Sequence, residues 1–317
     1  MSSLVKKFFL LGYYGFGNWG DELTLLSILN DFERIGRNQS CTFHFSVLMR
    51  DEKFDISFPP NVFVVLRRKI LSILQAIVQS DYVVVGGGSL LQDTTSFRSL
   101  FYYAFLLGWA QIFHRPVIFY RCGLGPFRRR ISKKIVSFIL KRMSLLITRD
   151  PESADLAMKL GGDRNKIKIG IDPVISAFRH SSSSTNSLGL VSFFVRNCHP
   201  FQEKKLIESM LFFQEKTQER IEITAFHHQY DREIASRIAS QLGCQWRSFH
   251  SVQEIETYFH QLKAIFTMRL HPAILSVMMN IPWFALNVDP KIESFTLWFK
   301  KKNLLNFDML SLETFYE

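Results

Sequence analysis

Short apolar runs recur along the chain, and each stops at a glycine or a charged residue. Phe8-Phe9-Leu10-Leu11 comes first and Val62-Phe63-Val64-Val65-Leu66 second. Tyr82-Val83-Val84-Val85, Val117-Ile118-Phe119-Tyr120, Leu145-Leu146-Ile147-Thr148 and Ile167-Lys168-Ile169 follow. Such short β-branched or aromatic runs read as strands. Segments of helical length lie between them, the first with Leu23, Leu26, Ile28, Leu29 and Phe32 on its apolar side. After Ser181-Ser182-Ser183-Ser184-Thr185-Asn186-Ser187 the pattern restarts with strand-like stretches 188–195, 221–226, 264–267 and 283–286. Strands alternating with helices predict parallel βαβ units and a doubly wound sheet. The restart predicts two α/β domains, 1–180 and 188–317, joined by the serine linker and facing one another across a cleft.

Ligands of doubly wound sheets bind beyond the carboxyl ends of the strands, where this chain keeps its unusual residues. The first strand runs into Gly12-Tyr13-Tyr14-Gly15-Phe16-Gly17-Asn18-Trp19-Gly20-Asp21-Glu22, and the third into Gly86-Gly87-Gly88-Ser89. Glycines at a strand-to-helix turn let backbone N–H groups approach a ligand closely; they also serve any tight turn. The spacing is not the dinucleotide G-x-G-x-x-G, and Asp21-Glu22 at the helix start would compete with a phosphate. A polar or sugar ligand fits better, with Gly15, Gly17, Asn18, Asp21, Glu22, Gly87, Gly88 and Ser89 as candidate contacts.

The 317 residues are 47% hydrophobic, enough for two cores, and carry a formal charge of +11. That charge suggests an anionic partner, or solubility alone. No aromatic-interleaved nucleic-acid module is present, so nucleic acid is not expected. Cys41, Cys122, Cys198 and Cys244 show no C-x-x-C spacing, which favours a reducing cytoplasm over a disulfide or zinc framework. Lys6-Lys7 before the first apolar run superficially resembles a signal peptide, but the run breaks at Gly12 without a cleavage site. The longest later apolar stretch, 100–109, is too short to span a bilayer.

Several strand ends carry cations: Arg121, Arg149, Arg196, Arg269, His271 and Lys291. Arg offers a planar fork to phosphate or carboxylate, and Lys a compact charge. Singly each also reads as a surface ion pair. His271 sits beside Arg269 after an apolar strand, and an imidazole titrating at about 6.5 can exchange a proton near neutrality; a packed or capping His is the alternative. No His cluster has metal-ligand spacing. Arg128-Arg129-Arg130-Ile131-Ser132-Lys133-Lys134, continuing to Lys141-Arg142, reads as the basic face of an amphipathic helix, either solvated or in peripheral contact with an anionic membrane.

These motifs, taken in order, resemble the polysaccharide pyruvyltransferases, especially the bacterial branch acting on cell-wall polymers. The resemblance rests on the segment 12–22 and on Gly86-Gly87-Gly88-Ser89-Leu90-Leu91-Gln92-Asp93. It continues through Gly123-Leu124-Gly125-Pro126, Thr148-Arg149-Asp150, Asp172-Pro173, Met268-Arg269-Leu270-His271 and Asp289-Pro290-Lys291. It implies two Rossmann-like domains similar to B-type glycosyltransferases, with the active site between them. It implies transfer of the enolpyruvyl unit of phosphoenolpyruvate to two hydroxyls of one sugar, forming a cyclic ketal and releasing phosphate, without a further cofactor. By motif match Arg269, His271, Lys291 and Arg149 fall on the phosphoenolpyruvate side and the opening glycine loop on the acceptor side. Because ketal formation begins with protonation of the enol carbon C3, His271 is the candidate catalytic acid, with Arg269 beside it as the catalytic cation. The acceptor implied is a cell-envelope glycan or lipid-linked saccharide, met in the cytoplasm or at the inner membrane face.

Three positions depart from the family pattern. Arg121 and Cys122 stand where Gln and often a preceding Gly are usual, and Pro272 where Ala is common; Arg121 is kept as a candidate contact. A sugar-nucleotide-dependent glycosyltransferase of the same architecture is the rival reading. A non-catalytic glycan- or lipid-diphosphate-binding protein on this scaffold is a second.

Overall fold

A computed structural model describes residues 4–50, 58–94, 96–177, 189–300 and 302–306. The serine run expected as the linker lies outside the described residues. The chain divides into two compact units: Met1–Phe16 with Asp21–Ala177, and Gly17–Gly20 with Phe178–Glu317.

The first unit is built on a seven-stranded parallel sheet. Its elements run β1 (Leu4–Tyr14), α1 (Trp19–Asn38), β2 (Cys41–Met49), β3 (Val62–Leu66), α2 (Ile70–Gln79), β4 (Tyr82–Gly86) and α3 (Phe97–Ile112). Then come β5 (Val117–Cys122), α4 (Arg130–Leu140), β6 (Leu145–Thr148), α5 (Pro151–Lys159), β7 (Ile167–Ile169) and α6 (Val174–Ala177). The strand order is β3-β2-β1-β4-β5-β6-β7. Alternate residues of β1 serve opposite faces. Phe9 and Leu11 pack with Ile73, Leu100, Leu107 and Val136 of α2, α3 and α4, whereas Phe8 and Leu10 pack with Leu25, Ile28 and Phe32 of α1. Burial on both faces explains why these strands read as unbroken apolar runs. Side-chain caps start the helices sharply: Ser96 Oγ accepts from the Ser99 N–H on α3, and Asp150 accepts from the Ser153 N–H at 2.7 Å on α5, whose first residue is Pro151.

The second unit repeats the plan with β8 (Leu190–Val195), α7 (Pro200–Thr217), β9 (Arg220–Ala225), α8 (Arg232–Leu242), β10 (Gln245–Ser248) and α9 (Val252–Phe259). It continues with β11 (Leu262–Thr267), α10 (Leu270–Met278), β12 (Trp283–Leu286), α11 (Pro290–Leu297) and β13 (Leu304–Leu305). Its order, β10-β9-β8-β11-β12-β13, reproduces the first six strands of the other sheet. The two doubly wound α/β sheets predicted from the apolar pattern are therefore present.

Three strands are absent from the sequence reading. β2 alternates buried Phe43, Phe45 and Val47 with half-exposed His44 and Ser46, so it lacks a continuous apolar run. β10 (Gln-Trp-Arg-Ser) and the two-residue β13 are edge strands whose state comes from pairing with β9 and β12. In each sheet the order reverses at one place, between β1 and β4 and between β8 and β11. There the loops after neighbouring strands diverge and leave room for a ligand.

Candidate active site

In the first unit, the loops after β1 and β4 lie side by side at the reversal. Tyr14 is buried and donates its hydroxyl to the Gly86 carbonyl at 2.7 Å. Burial first, then the charges of Asp21 and Glu22, raise this phenol well above its ordinary pKa, so it remains a donor. Glu22 is fully buried in the first turn of α1 and accepts from the Gly15 N–H at 2.8 Å. It braces the loop from inside. Gly87 has φ +64°, and a Cβ there would fall on the Thr24 side chain; the turn requires glycine on both counts. A Cβ on Gly88 would face the Asp21 carboxylate at 3.2 Å.

Ser89, Gly123 and Arg149 form a corner beside this loop. A Cβ on Gly123 would strike Ser89 Oγ and lie 3.3 Å from both Nε and Nη2 of Arg149. Arg149 is 8% exposed and ion-paired with Asp172 at 3.3 Å and Asp150 at 3.5 Å. Its Nη2 is buried without a hydrogen-bond partner among the described residues. A buried, unused guanidinium donor is costly and marks where an anion or carbonyl would be held. Arg121 is placed differently. At φ +50° it turns its guanidinium to Asp31 at 2.9 Å and Ser176 at 3.2 Å, a network that Tyr120 joins. The neighbouring Cys122 thiol is pushed up to about 12 by burial, which keeps it protonated and unreactive.

A further cluster, not predicted from the sequence, lies next to Gly12 and Gly15. Tyr13 and Phe16 stack at 3.8 Å. Arg67, directly after β3, lies 4.0 Å over Tyr102 and donates to the Tyr103 hydroxyl at 2.7 Å, which in turn donates to the Gly12 carbonyl. Its signal was available, since Arg67-Arg68-Lys69 follows a strand like the other cations.

In the second unit, Gly17–Gly20 is stitched to the end of β9. Asn18 bridges His227, the His228 N–H donates to the Gly17 carbonyl at 2.7 Å, and the Trp19 N–H donates to the Phe226 carbonyl. Trp19 is 1% exposed, with its indole N–H on the Phe249 carbonyl. Gly20 lies against the imidazole of His271: a Cβ there would be 2.7 Å from Cγ and Cε1 and closer still to Nδ1. Beyond β11, Arg269 grips Asp231 through Nε at 2.9 Å and through Nη2. Asp231 is fully buried and also accepts from the His227 N–H at 2.9 Å. Burial raises its pKa, and the Arg269 guanidinium opposes that rise. Nothing in the sequence distinguished Asp231 from an ordinary acid at a helix start.

His271 occupies the first turn of α10, where Pro272 is accommodated and buried. Lys291 opens α11, its backbone N–H held by the Asp289 carboxylate at 3.0 Å. Burial pushes the Asp289 carboxyl up, but Lys291 and Arg196 together outweigh it and hold it below its usual range. Arg196 pairs with Asp289 at 3.3 Å. The second unit thus holds Gly17 and Asn18 at the end of β9 and Arg269 and His271 at the end of β11, the two joined through the Arg269–Asp231 pair, with Lys291 one strand further on. The first unit gathers Gly15, Asp21, Glu22, Gly87, Gly88, Ser89 and Arg149.

A family model described as polysaccharide pyruvyl transferase matches residues 18–290. No curated protein matches the chain by sequence. Among solved structures, the UDP complex of MnaA from S. aureus is similar with a TM-score of 0.66 at 10% identity, over 99% of this chain and 88% of its own. A putative UDP-N-acetylglucosamine 2-epimerase from Listeria monocytogenes gives 0.64 at 12% identity, over 95% and 83%. The lipopolysaccharide outer core galactosyltransferase WaaB gives 0.51 at 11%, over 97% and 93%. At such identities the likeness is one of fold, that of the B-type glycosyltransferases.

Proposed function

The chain belongs to the polysaccharide pyruvyl transferase family, and from that premise we propose that it transfers the enolpyruvyl unit of phosphoenolpyruvate to two hydroxyls of one sugar, closing a cyclic ketal. The acceptor is a cell-envelope glycan or its lipid-linked precursor, and no cofactor is used beyond the donor. The work is done in the cytoplasm, in peripheral contact with the inner face of the membrane.

The supporting observation is the Arg269–Asp231 clamp next to His271 at the reversal of the second sheet. Holding Arg269 on a buried carboxylate fixes its direction in advance, which is what stabilising a departing phosphate requires. His271 gives a proton to C3 of the enol, and C2 accepts the first sugar hydroxyl, which releases its own proton. The bond from C2 to the phosphate oxygen then breaks, its electron pair leaving with phosphate. The second hydroxyl closes the ring and loses its proton. Arg269 and Lys291 stabilise the phosphate as it leaves. In the first unit, Asp21, Ser89 and the glycine turns are assigned to acceptor hydroxyls, Arg149 to a substrate anion, and Glu22 to loop support.

The test is incubation with phosphoenolpyruvate and a saccharide acceptor, reading phosphate release and the mass of the product. Acceptor-dependent phosphate release, lost in His271→Ala, is expected. Nucleotide release from a sugar nucleotide with none from phosphoenolpyruvate would make the chain a glycosyltransferase. Acceptor binding without any turnover would make it a binding protein.

A further inference from the structure

Residues 94–149 contain eleven Lys and Arg and neither Asp nor Glu, a surplus equal to the formal charge of the whole chain. Arg121 and Arg149 turn inward to Asp31 and Asp172. The seven cations between residues 128 and 142 are exposed and form no ion pair among the described residues. Elsewhere, surface cations do find acids, as Arg237 finds Glu203 and Lys204 finds Glu208.

The same part of the first unit exposes large apolar side chains. On α3, Phe101, Phe105 and Ile112 are 57%, 45% and 69% exposed. At 100° per residue they share one side of the helix with Gly108, while Leu100, Tyr103 and Leu107 fill the core behind. On α4, Ile131 and Phe138 are 51% and 52% exposed, with Lys134 in the same stripe. The two helices pack side by side, Gln111 donating to the Ile139 carbonyl at 3.0 Å. Arg142 lies 3.8 Å over the Phe138 ring, its charge covering the aromatic's face.

We infer that the α3–α4 face docks on an anionic phospholipid surface, with α3 and α4 lying in the interface plane. Charge complementarity selects the occupant. This cationic field, in which the Asp93 carboxylate is buried under the Arg128 and Arg129 N–H groups, is drawn to anionic headgroups, and Phe101, Phe105 and Ile112 reach the acyl boundary beneath them. A nucleic acid would neutralise the cations but leave Ile112 and Ile131 in water. No helix among the described residues is long and apolar enough to cross a membrane, so the contact is one of surface. The inference concerns the partner of this face and does not depend on the donor used in transfer.

The full chain is tested by co-sedimentation with vesicles of phosphatidylcholine containing phosphatidylglycerol, and with phosphatidylcholine alone. Wild type is expected to bind the anionic vesicles. Lys133→Gln with Lys134→Gln should weaken that partitioning by about 30-fold at low salt. Phe101→Ser with Phe105→Ser should weaken it by at least about 10-fold, and the loss should persist at high salt, because it removes area and not charge. Both pairs are exposed, so turnover of a soluble saccharide should remain at the wild-type rate. A failed pyruvyl assay with intact vesicle binding would sink the transferase reading alone. Absence of vesicle binding, or binding indifferent to the phenylalanines, overturns the docking. Binding of RNA with the same charge dependence and no phenylalanine dependence, or a self-association abolished by Phe101→Ser, overturns it as well.

Discussion

Replacing Gly20 by Ala adds a single methyl group to the second residue of α1. The new Cβ would stand 2.7 Å from Cγ and Cε1 of His271 and nearer still to Nδ1. Non-bonded heavy atoms settle at about 3.5–4.0 Å, so the imidazole has to withdraw by roughly 1 Å or more. The ring is the far end of a rotatable side chain and can yield without moving backbone. Ala is also the better helix former, so the fold should change in stability by no more than about 1 kcal/mol. Catalysis is far less tolerant, because a misplacement of about 1 Å costs on the order of 100-fold in rate. The expected result is a kcat about 100-fold lower, or about 2.7 kcal/mol of lost transition-state stabilisation, with the thermal midpoint nearly unchanged. Single-turnover phosphate release reads the first quantity and calorimetry the second. Gly108→Ala in α3 is the matched control. Its Cβ would meet nothing within 4 Å, so activity should hold and stability rise by about 0.5–1 kcal/mol. A folded Gly20→Ala protein with full kcat would remove His271 from the role of acid.

Two further substitutions probe the supporting charges. Asp231→Asn leaves Arg269 with one acceptor in place of a carboxylate; the Michaelis constant for phosphoenolpyruvate should rise about 10-fold and stability fall by about 1.5–3 kcal/mol, and an unchanged Michaelis constant would detach the clamp from donor binding. Asp93→Asn probes pH dependence. Burial pushes this carboxyl up, but the Ser132 hydroxyl and the N–H groups of Arg128 and Arg129, at 2.6 and 2.9 Å, outweigh it and lower the folded pKa. A depressed folded pKa contributes stability that is complete above the unfolded value, about 3.9, and is lost as pH falls through the folded value. Denaturant titrations should therefore show wild type ahead by about 1.5–3 kcal/mol at pH 7, with the gap closing in acid; a gap that persists there would contradict this account.

Much of this protein is set by local pattern. Apolar runs determine β3, β4, β6, β7 and β12 almost to the residue, whereas β1 extends well beyond its apolar run of 8–11 in both directions. A parallel sheet brings all its carboxyl ends to one edge, so Gly15, Gly87, Arg149, Arg269 and His271 could be placed at strand ends without coordinates. The strands that escaped, β2, β10 and β13, owe their state to neighbours and lack a core-like run of their own.

What the chain order could not show is which charge answers which. Arg121, Arg149 and Arg269 look alike in sequence, each a cation after a strand. One is held by Asp31, ninety positions away, in a supporting network. Another meets Asp172 and keeps one buried nitrogen unpaired among the described residues. The third is clamped by Asp231 next to His271. Gly20 and His271 meet although 251 positions separate them. Hydrophobic periodicity is a short-range property, and neighbouring residues suffice to encode it. Coulombic pairing and steric contact depend on distance in space, which only the folded chain supplies.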